Sequence, residues 1–132
     1  MESKVTGMNT TALAYMGDAV YEVYVRKHVM GSGNPHVDSL HKNAVSYVRA
    51  DAQAKVLKSM MNGFLSEEEL ALVKRARNHK IASKPQNASP MTYKLATAFE
   101  ALIGCLYLSQ DTERLEVVVA EALRIIGGKD HE

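Results

Sequence analysis

The apolar residues of this chain recur at helical spacing over most of its length. The first such stretch begins near Asn9, Thr10 or Thr11, each of which can cap a helix N-terminus, and it ends at Gly31. Its apolar stripe consists of Leu13, Met16, Val20 and Val23. The pattern predicts an amphipathic helix over this stretch.

The middle of the chain predicts further helices. Asn34 followed by Pro35 is typical of a cap with proline at the first helical position, and the apolar series that follows reaches Met61. This series predicts either one bent helix or two. Ser66 and Glu69 then have the spacing of a capping box, which predicts the start of another helix.

The last third of the chain predicts a loop and two helices. Residues 80–89, KIASKPQNAS, lack helical periodicity. A cap followed by proline, Ser89–Pro90, opens a long apolar helix, and Asp111 or Thr112 caps a final helix that ends at two glycines. Because no stretch has the period of a strand, the sequence predicts an all-α fold.

Composition limits the organisation of the chain to one domain. With 132 residues, 46% of them hydrophobic, we expect a single domain over residues 1–132, with residues 1–9 poorly ordered. The single cysteine, Cys105, lies in an apolar run and cannot form an internal disulfide, which indicates a reducing compartment. No secretory signal or membrane span is recognisable, so we expect a cytoplasmic protein.

The net charge of +1 conceals an uneven distribution. Residues 70–99 carry six Lys/Arg and no acid, whereas residues 100–132 carry three Lys/Arg and seven acids. Such a segment is either a solvated basic face or a surface that binds a polyanion. On the second interpretation the binding residues are Lys74, Arg75, Arg77, Asn78, His79, Lys80 and Lys84.

Asp18 is the first acidic residue in an unusual setting. It lies off the main stripe of its helix, but Ala14, Tyr21 and Val25 form a second apolar line on its own side. A helix that is apolar on two sides is expected to be central in the fold. We therefore predict that Asp18 is partly buried.

Glu100 is the second such acid, because it is the only charged residue within 95–110. Burial of a carboxylate is costly unless a cation compensates it, and neither helix supplies one within a turn. Brought together, Asp18 and Glu100 could hold a hard divalent ion such as Mg²⁺, with Gly17 and Gly104 leaving space for a ligand. The alternative is that each carboxylate is bonded to a buried Tyr, Thr or backbone donor.

Glu22 allows two interpretations. It lies one turn after Asp18 and one turn before Arg26. It can pair with Arg26 on the surface or join the acidic site as an outer group.

Two stretches resemble the signature helices of the ribonuclease III catalytic domain. They are YMGDAVYE at residues 15–22 and FEALIGCLYL at residues 99–108, and RARNHK precedes the predicted loop. With TYKLATAFEALIG following that loop at residues 92–104, the chain most resembles Mini-III, the short bacterial branch of the ribonuclease III family that consists of the catalytic domain alone. The resemblance implies an all-α endonuclease fold and a homodimer.

The resemblance also implies an activity. It predicts Mg²⁺-dependent cleavage of double-stranded RNA, with Mn²⁺ able to replace Mg²⁺, and with 5′-phosphate and 3′-hydroxyl products. The implied substrate is the precursor of the 23S ribosomal RNA of the large subunit. Carried over by position, Asp18 and Glu100 are the catalytic, metal-binding carboxylates, while Tyr15 and Met16 are candidates for the dimer interface.

Two positions depart from the family pattern. Thr11 and Thr97 stand where the longer enzymes carry acids. They leave open an alternative in which the protein is an inactive RNA-binding scaffold in ribosome assembly. A plain helical interaction domain, with Asp18 and Glu100 as satisfied core acids, is the third interpretation.

Overall fold

The computed structural model describes residues 1–79 and 89–128. Within these ranges all regular elements are helices and there is no strand, so the all-α prediction is confirmed. The elements are α1 (Ser3–Thr6), α2 (Thr10–Met30), α3 (Val37–Val48), α4 (Ala50–Met60), α5 (Glu67–Asn78), α6 (Pro90–Leu108) and α7 (Thr112–Gly127).

Helix α6 is the centre of the fold. It packs against α2, α4, α5 and α7, and its side chains from Ala101 to Leu106 are all buried. A helix that is apolar on every side must be surrounded by other elements, which explains this position. Over the two described ranges, no helix combines the length and the apolar character that crossing a membrane requires.

The predicted caps are found at four helix starts. Asn9 caps α2, Ser89 caps α6 and Asp111 caps α7, each through a side-chain oxygen that accepts a backbone N–H. At α5 the capping box is complete: the Glu69 N–H donates to Ser66 Oγ at 3.2 Å, and the Ser66 N–H donates to Glu69 Oε1 at 2.9 Å. These local bonds satisfy backbone donors that a helix N-terminus leaves unpaired.

The start of α3 differs from the prediction. Asn34 does not cap the helix, because its Oδ1 accepts the N–H of His36 at 2.9 Å and so closes a turn before Val37. The series predicted as one bent helix or two is two helices. Arg49, with φ −61° and ψ 148°, is extended and separates α3 from α4.

The chain before Asn9 contains an element that the sequence pattern did not predict. Residues Ser3–Thr6 form one helical turn, and Val5 is buried in the core. The Glu2 N–H donates to Ser109 Oγ at 3.1 Å, which fixes this segment beside the end of α6.

A buried ion pair joins the N-terminal ends of α5 and α7. Arg114 donates through Nε and Nη2 to the two oxygens of Glu69, both at 2.8 Å, and its guanidinium lies 4.8 Å from the centre of the Phe64 ring. Burial opposes ionisation of Glu69, but the bonds from Arg114 and Ser66 outweigh it, so the pKa of Glu69 is lowered.

Candidate active site

Two glycines allow the backbones of α2 and α6 to touch. A Cβ added to Gly17 would lie 1.7 Å from the Glu100 carbonyl oxygen, and one added to Gly104 would lie 1.9 Å from the Leu13 carbonyl oxygen. Neither distance is possible for a real side chain, so glycine is required at both positions. We expected these glycines to make room for a ligand, but the space beside each is filled by the opposite helix.

The crossing places the two predicted acids side by side. Asp18 follows Gly17 directly, and its carboxylate lies close enough to that of Glu100, across the helix pair, to raise the pKa of Glu100. The edge of the Tyr21 ring packs against Phe99, with ring centroids 4.9 Å apart, and supports the same crossing from the buried side. The structure thus places Asp18 and Glu100 next to each other at the crossing of α2 and α6.

The local environment of Glu100 favours the protonated form of its carboxyl group. Burial, followed by the charge of Asp18 and the hydrogen bond with it, raises the pKa of Glu100 from 4.5 to about 8. Glu100 is therefore mostly protonated at neutral pH in the metal-free protein. A cation that binds between Asp18 and Glu100 would displace this proton.

The prediction that Asp18 is partly buried is wrong. Asp18 is exposed, whereas Glu100 is half-buried. The buried side of α2 is centred on Ala14, Gly17 and Tyr21, and Asp18 lies on its rim. The pair thus has one inner and one outer carboxylate, and the outer one is open to a large substrate.

Gln53 is a neighbour of the pair that the sequence analysis missed. It lies in the first turn of α4, is 2% exposed, and its side chain lies close enough to Glu100 to lower the pKa of that carboxyl. A signal was present, because Gln53 shares its helical face with Val56, Leu57 and Met60 and is therefore on the buried side.

The donor set fits a hard divalent cation. Two adjacent carboxylates, one of them accessible, are the ligands that Mg²⁺ uses when it retains several waters. Across the described ranges no group of three or more His, Cys, Asp or Glu side chains could hold a metal ion. Asp18 and Glu100 therefore offer two protein ligands, and water would have to complete the coordination of a bound cation.

Glu22 does not add to this pair as an independent acid. The Nε of Arg26 donates to Glu22 Oε1 at 3.1 Å, one turn further along α2. Of the two interpretations of Glu22, the structure favours surface pairing with Arg26.

The predicted basic surface is described only in part. Lys74, Asn78 and His79 are exposed on or beside the last turns of α5, and Arg77 is half-buried with its Nε donating to Asn78 Oδ1 at 3.2 Å. Arg75 is exposed but donates to the Met8 carbonyl at 3.0 Å. The predicted residues Lys80 and Lys84 lie outside the described residues.

Helix α2 presents apolar side chains to solvent on the side away from the core. Tyr15 is 83% exposed and Val23 is 65% exposed, with exposed Ala19 between them at helical spacing. Met16, the other predicted interface residue, is half-buried and packs against the core. The exposed line is unusual for a helix in the middle of a domain.

Comparison with known proteins agrees with this geometry. The profile of the Ribonuclease III domain matches residues 11–111. The chain is 42% identical to Mini-ribonuclease 3 of Enterococcus faecalis, over 91% of this chain and 92% of that protein. It is 48% identical to Mini-ribonuclease 3 of Brevibacillus brevis, over 92% and 90% of the two chains.

A solved structure has the same architecture. The crystal structure of protein FN1578 from Fusobacterium nucleatum superimposes with a TM-score of 0.77 at 32% identity, covering 86% of this chain and 91% of that one. Fold, sequence and domain profile lead to one assignment. The chain belongs to the ribonuclease III family, in its Mini-ribonuclease 3 branch of endoribonucleases.

Proposed function

We propose that this protein is a Mg²⁺-dependent endoribonuclease that cleaves double-stranded RNA in the cytoplasm through Asp18 and Glu100. The observation that carries the proposal is the contact of these two carboxyl groups across the crossing of α2 and α6. Family membership supports the substrate class, because the relatives are named as ribonucleases. The unpaired Cys105 supports a reducing compartment.

The two carboxylates have different tasks in this mechanism. Glu100 is half-buried, so it would supply the inner ligand of the cation, while the exposed Asp18 would supply the ligand on the side open to the RNA. Asp18 and Glu100 would hold the Mg²⁺, whose contribution would be to lower the pKa of a water for in-line attack and to offset charge on the phosphate and the leaving 3′ oxygen. The expected products carry a 5′-phosphate and a 3′-hydroxyl.

Lys74, Arg77, Asn78 and His79 are proposed to position the RNA. A-form RNA exposes phosphates and 2′-hydroxyls across a wide, shallow minor groove, so recognition depends mainly on the shape of the duplex. Lys74, Asn78 and His79 supply exposed charge and hydrogen-bonding groups for this role. Lys80 and Lys84 belong to the same proposal by their place in the sequence.

Cleavage of both strands requires two sites, and we propose a homodimer that provides them. The exposed apolar line of Tyr15, Ala19 and Val23 on α2 supports an interface there, because a self-complementary contact would remove it from water. Met16 lies at the edge of this line. The proposed substrate, the precursor of 23S ribosomal RNA, follows from the resemblance to Mini-III.

The second candidate function is an RNA-binding scaffold without cleavage. Thr11 is exposed and Thr97 half-buried where longer relatives carry acids, so the site has fewer carboxylates than theirs. This protein would then bind duplex RNA without hydrolysing it in any divalent metal.

The two candidates are separated by a cleavage assay with a duplex RNA substrate. The chelated protein should be inactive, and cleavage should return with Mg²⁺ or Mn²⁺. Product ends are then identified by their sensitivity to phosphatase and by ligation. Salt-sensitive RNA binding without cleavage in either metal would establish the scaffold instead.

A further inference from the structure

Gln53 has an incomplete set of hydrogen bonds in a position closed to solvent. Its Nε2 donates to the Val48 carbonyl at 3.1 Å, which ties the side chain to the break between α3 and α4. Its side chain also lies close enough to Glu100 to lower the pKa of that carboxyl, although burial and Asp18 raise it by more. Among the described residues, its Oε1 has no hydrogen-bond partner.

This arrangement is costly if its only purpose is to stabilise the fold. A buried acceptor without a partner loses its hydration and gains nothing in return, and an apolar side chain of similar size would avoid that loss. Glu69, a buried polar group of comparable depth, has its partners, whereas Tyr21 Oη is another buried side-chain oxygen without one among the described residues. Gln53 therefore differs from Glu69 in carrying a buried acceptor without a partner, on a side chain that lies beside Glu100.

We infer that Gln53 is a positioning residue of the metal site, which orients Glu100 through Nε2 and accepts, through Oε1, a hydrogen bond from a water of the hydrated cation. The inference rests on the proposed function. It requires only the contacts described for Gln53 and the preference of Mg²⁺ for keeping several of its waters. Groups that orient metal ligands in this way affect affinity nearly as strongly as the ligands do.

The test measures metal affinity without RNA and without turnover. Titration calorimetry with Mg²⁺ and Mn²⁺ is carried out on wild type and on Gln53→Met. This substitution keeps the side-chain length and removes both the Nε2 donor and the Oε1 acceptor. We expect Gln53→Met to bind the cation about 10- to 100-fold more weakly. The matched control is Val56→Ala, which creates a cavity on the same buried face of α4 and should leave metal affinity unchanged.

If Gln53 has only a structural role, its replacement should lower stability and leave metal affinity unchanged. If Gln53→Met is destabilised in urea unfolding but binds metal like wild type, the inference is overturned. It is also overturned if Val56→Ala loses as much affinity as Gln53→Met. If the wild-type protein binds no divalent cation, the proposed function itself is overturned. If the wild type binds the cation and Gln53→Met binds it equally well, only the inference about Gln53 is overturned.

A second variant keeps the test decisive if Gln53→Met does not fold. Gln53→Glu retains an acceptor oxygen but replaces the donor, placing another carboxylate beside Glu100. In the metal-free protein this carboxylate repels Glu100, and a bound cation relieves the repulsion. We therefore expect saturating Mn²⁺ to raise the melting temperature of Gln53→Glu by more than that of wild type, and an equal rise would refute the inference.

Discussion

At the scale of a single residue, Glu100 lowers the stability of the metal-free protein at the position where we propose that it binds a cation. In the metal-free protein its carboxyl group is held beside Asp18 in a partly desolvated position, which raises its pKa from 4.5 to about 8. The unfolded chain therefore loses this proton at lower pH than the folded protein does. Stability is consequently lost as the pH rises from about 4.5 to about 8.

Replacing this acid should make the metal-free protein more stable. We predict that Glu100→Gln, in the presence of chelator at pH 8, gains about 1 to 2 kcal/mol in the free energy of unfolding. The neutral amide avoids the cost of holding a carboxyl group, partly desolvated, beside Asp18. The measurement is urea unfolding at a series of pH values, with Glu116→Gln on the exposed side of α7 as the control. Equal pH dependence of wild type and Glu100→Gln would show that the raised pKa is absent.

At the scale of elements, the site depends on the contact between two helix backbones. Gly17 and Gly104 make this contact possible, and Asp18 and Glu100 reach each other as a result. The acids are therefore positioned by regular secondary structure. A rigid helix crossing holds a site more exactly than a loop does.

A methyl group at the crossing should separate the helices. We predict that Gly17→Ala destabilises the protein by about 3 kcal/mol, near the upper end for overpacking, and lowers cleavage even where the protein remains folded. Gly128→Ala is the matched control, because a Cβ there would lie 3.7 Å from Arg124 Cγ, an ordinary contact. Calorimetric melting and cleavage are measured for both, and a Gly17→Ala variant with wild-type values would contradict the crossing as described.

Sequence reasoning succeeds where structure is local. The caps at Asn9, Ser66 and Ser89 could be predicted because each bond joins residues two or three apart. It fails where the partner is distant: nothing in the sequence connects Glu69 with Arg114, 45 residues away. The same limit applies to candidate-site details such as the Gln53 contact.

The pairing of Asp18 with Glu100 was predictable for a different reason. Each acid lies among apolar and small residues with no Lys or Arg within one helical turn, and that anomaly is visible in the sequence. Their unequal exposure was not predictable, because it depends on which residue of α2 faces α6. Gly17 occupies that position, and a helical wheel does not reveal that a glycine rather than a large apolar residue marks the closest contact.

At the scale of the whole molecule, the uneven charge matters for RNA binding. We predict that reversing two charges, Lys74→Glu together with Arg77→Glu, weakens binding of duplex RNA and reduces the slope of log affinity against log salt by about one to two. The metal requirement for cleavage should not change. Arg124→Glu, on α7, is the control for charge reversal, and equal losses in both proteins would mean that α5 has no specific role.

The exposed line on α2 leads to a prediction about assembly. Tyr15→Arg should convert a dimer into a monomer at micromolar concentration, because it places a charge in an apolar, self-complementary contact. Sedimentation equilibrium measures the mass directly. Tyr107→Arg, at a half-exposed aromatic on α6, is the control, and a monomeric wild type would disprove the proposed interface.

The central claim is that Asp18 and Glu100 act as one metal-binding unit. Single-turnover cleavage of duplex RNA in Mg²⁺ should be measured for wild type, Asp18→Asn, Glu100→Gln and the double variant, all shown to be folded and to bind RNA. Groups that act together are strongly non-additive, so either single change should remove nearly all activity and the double variant should lose little more. Independent, multiplicative losses, or substantial cleavage by either single variant, would contradict the claim.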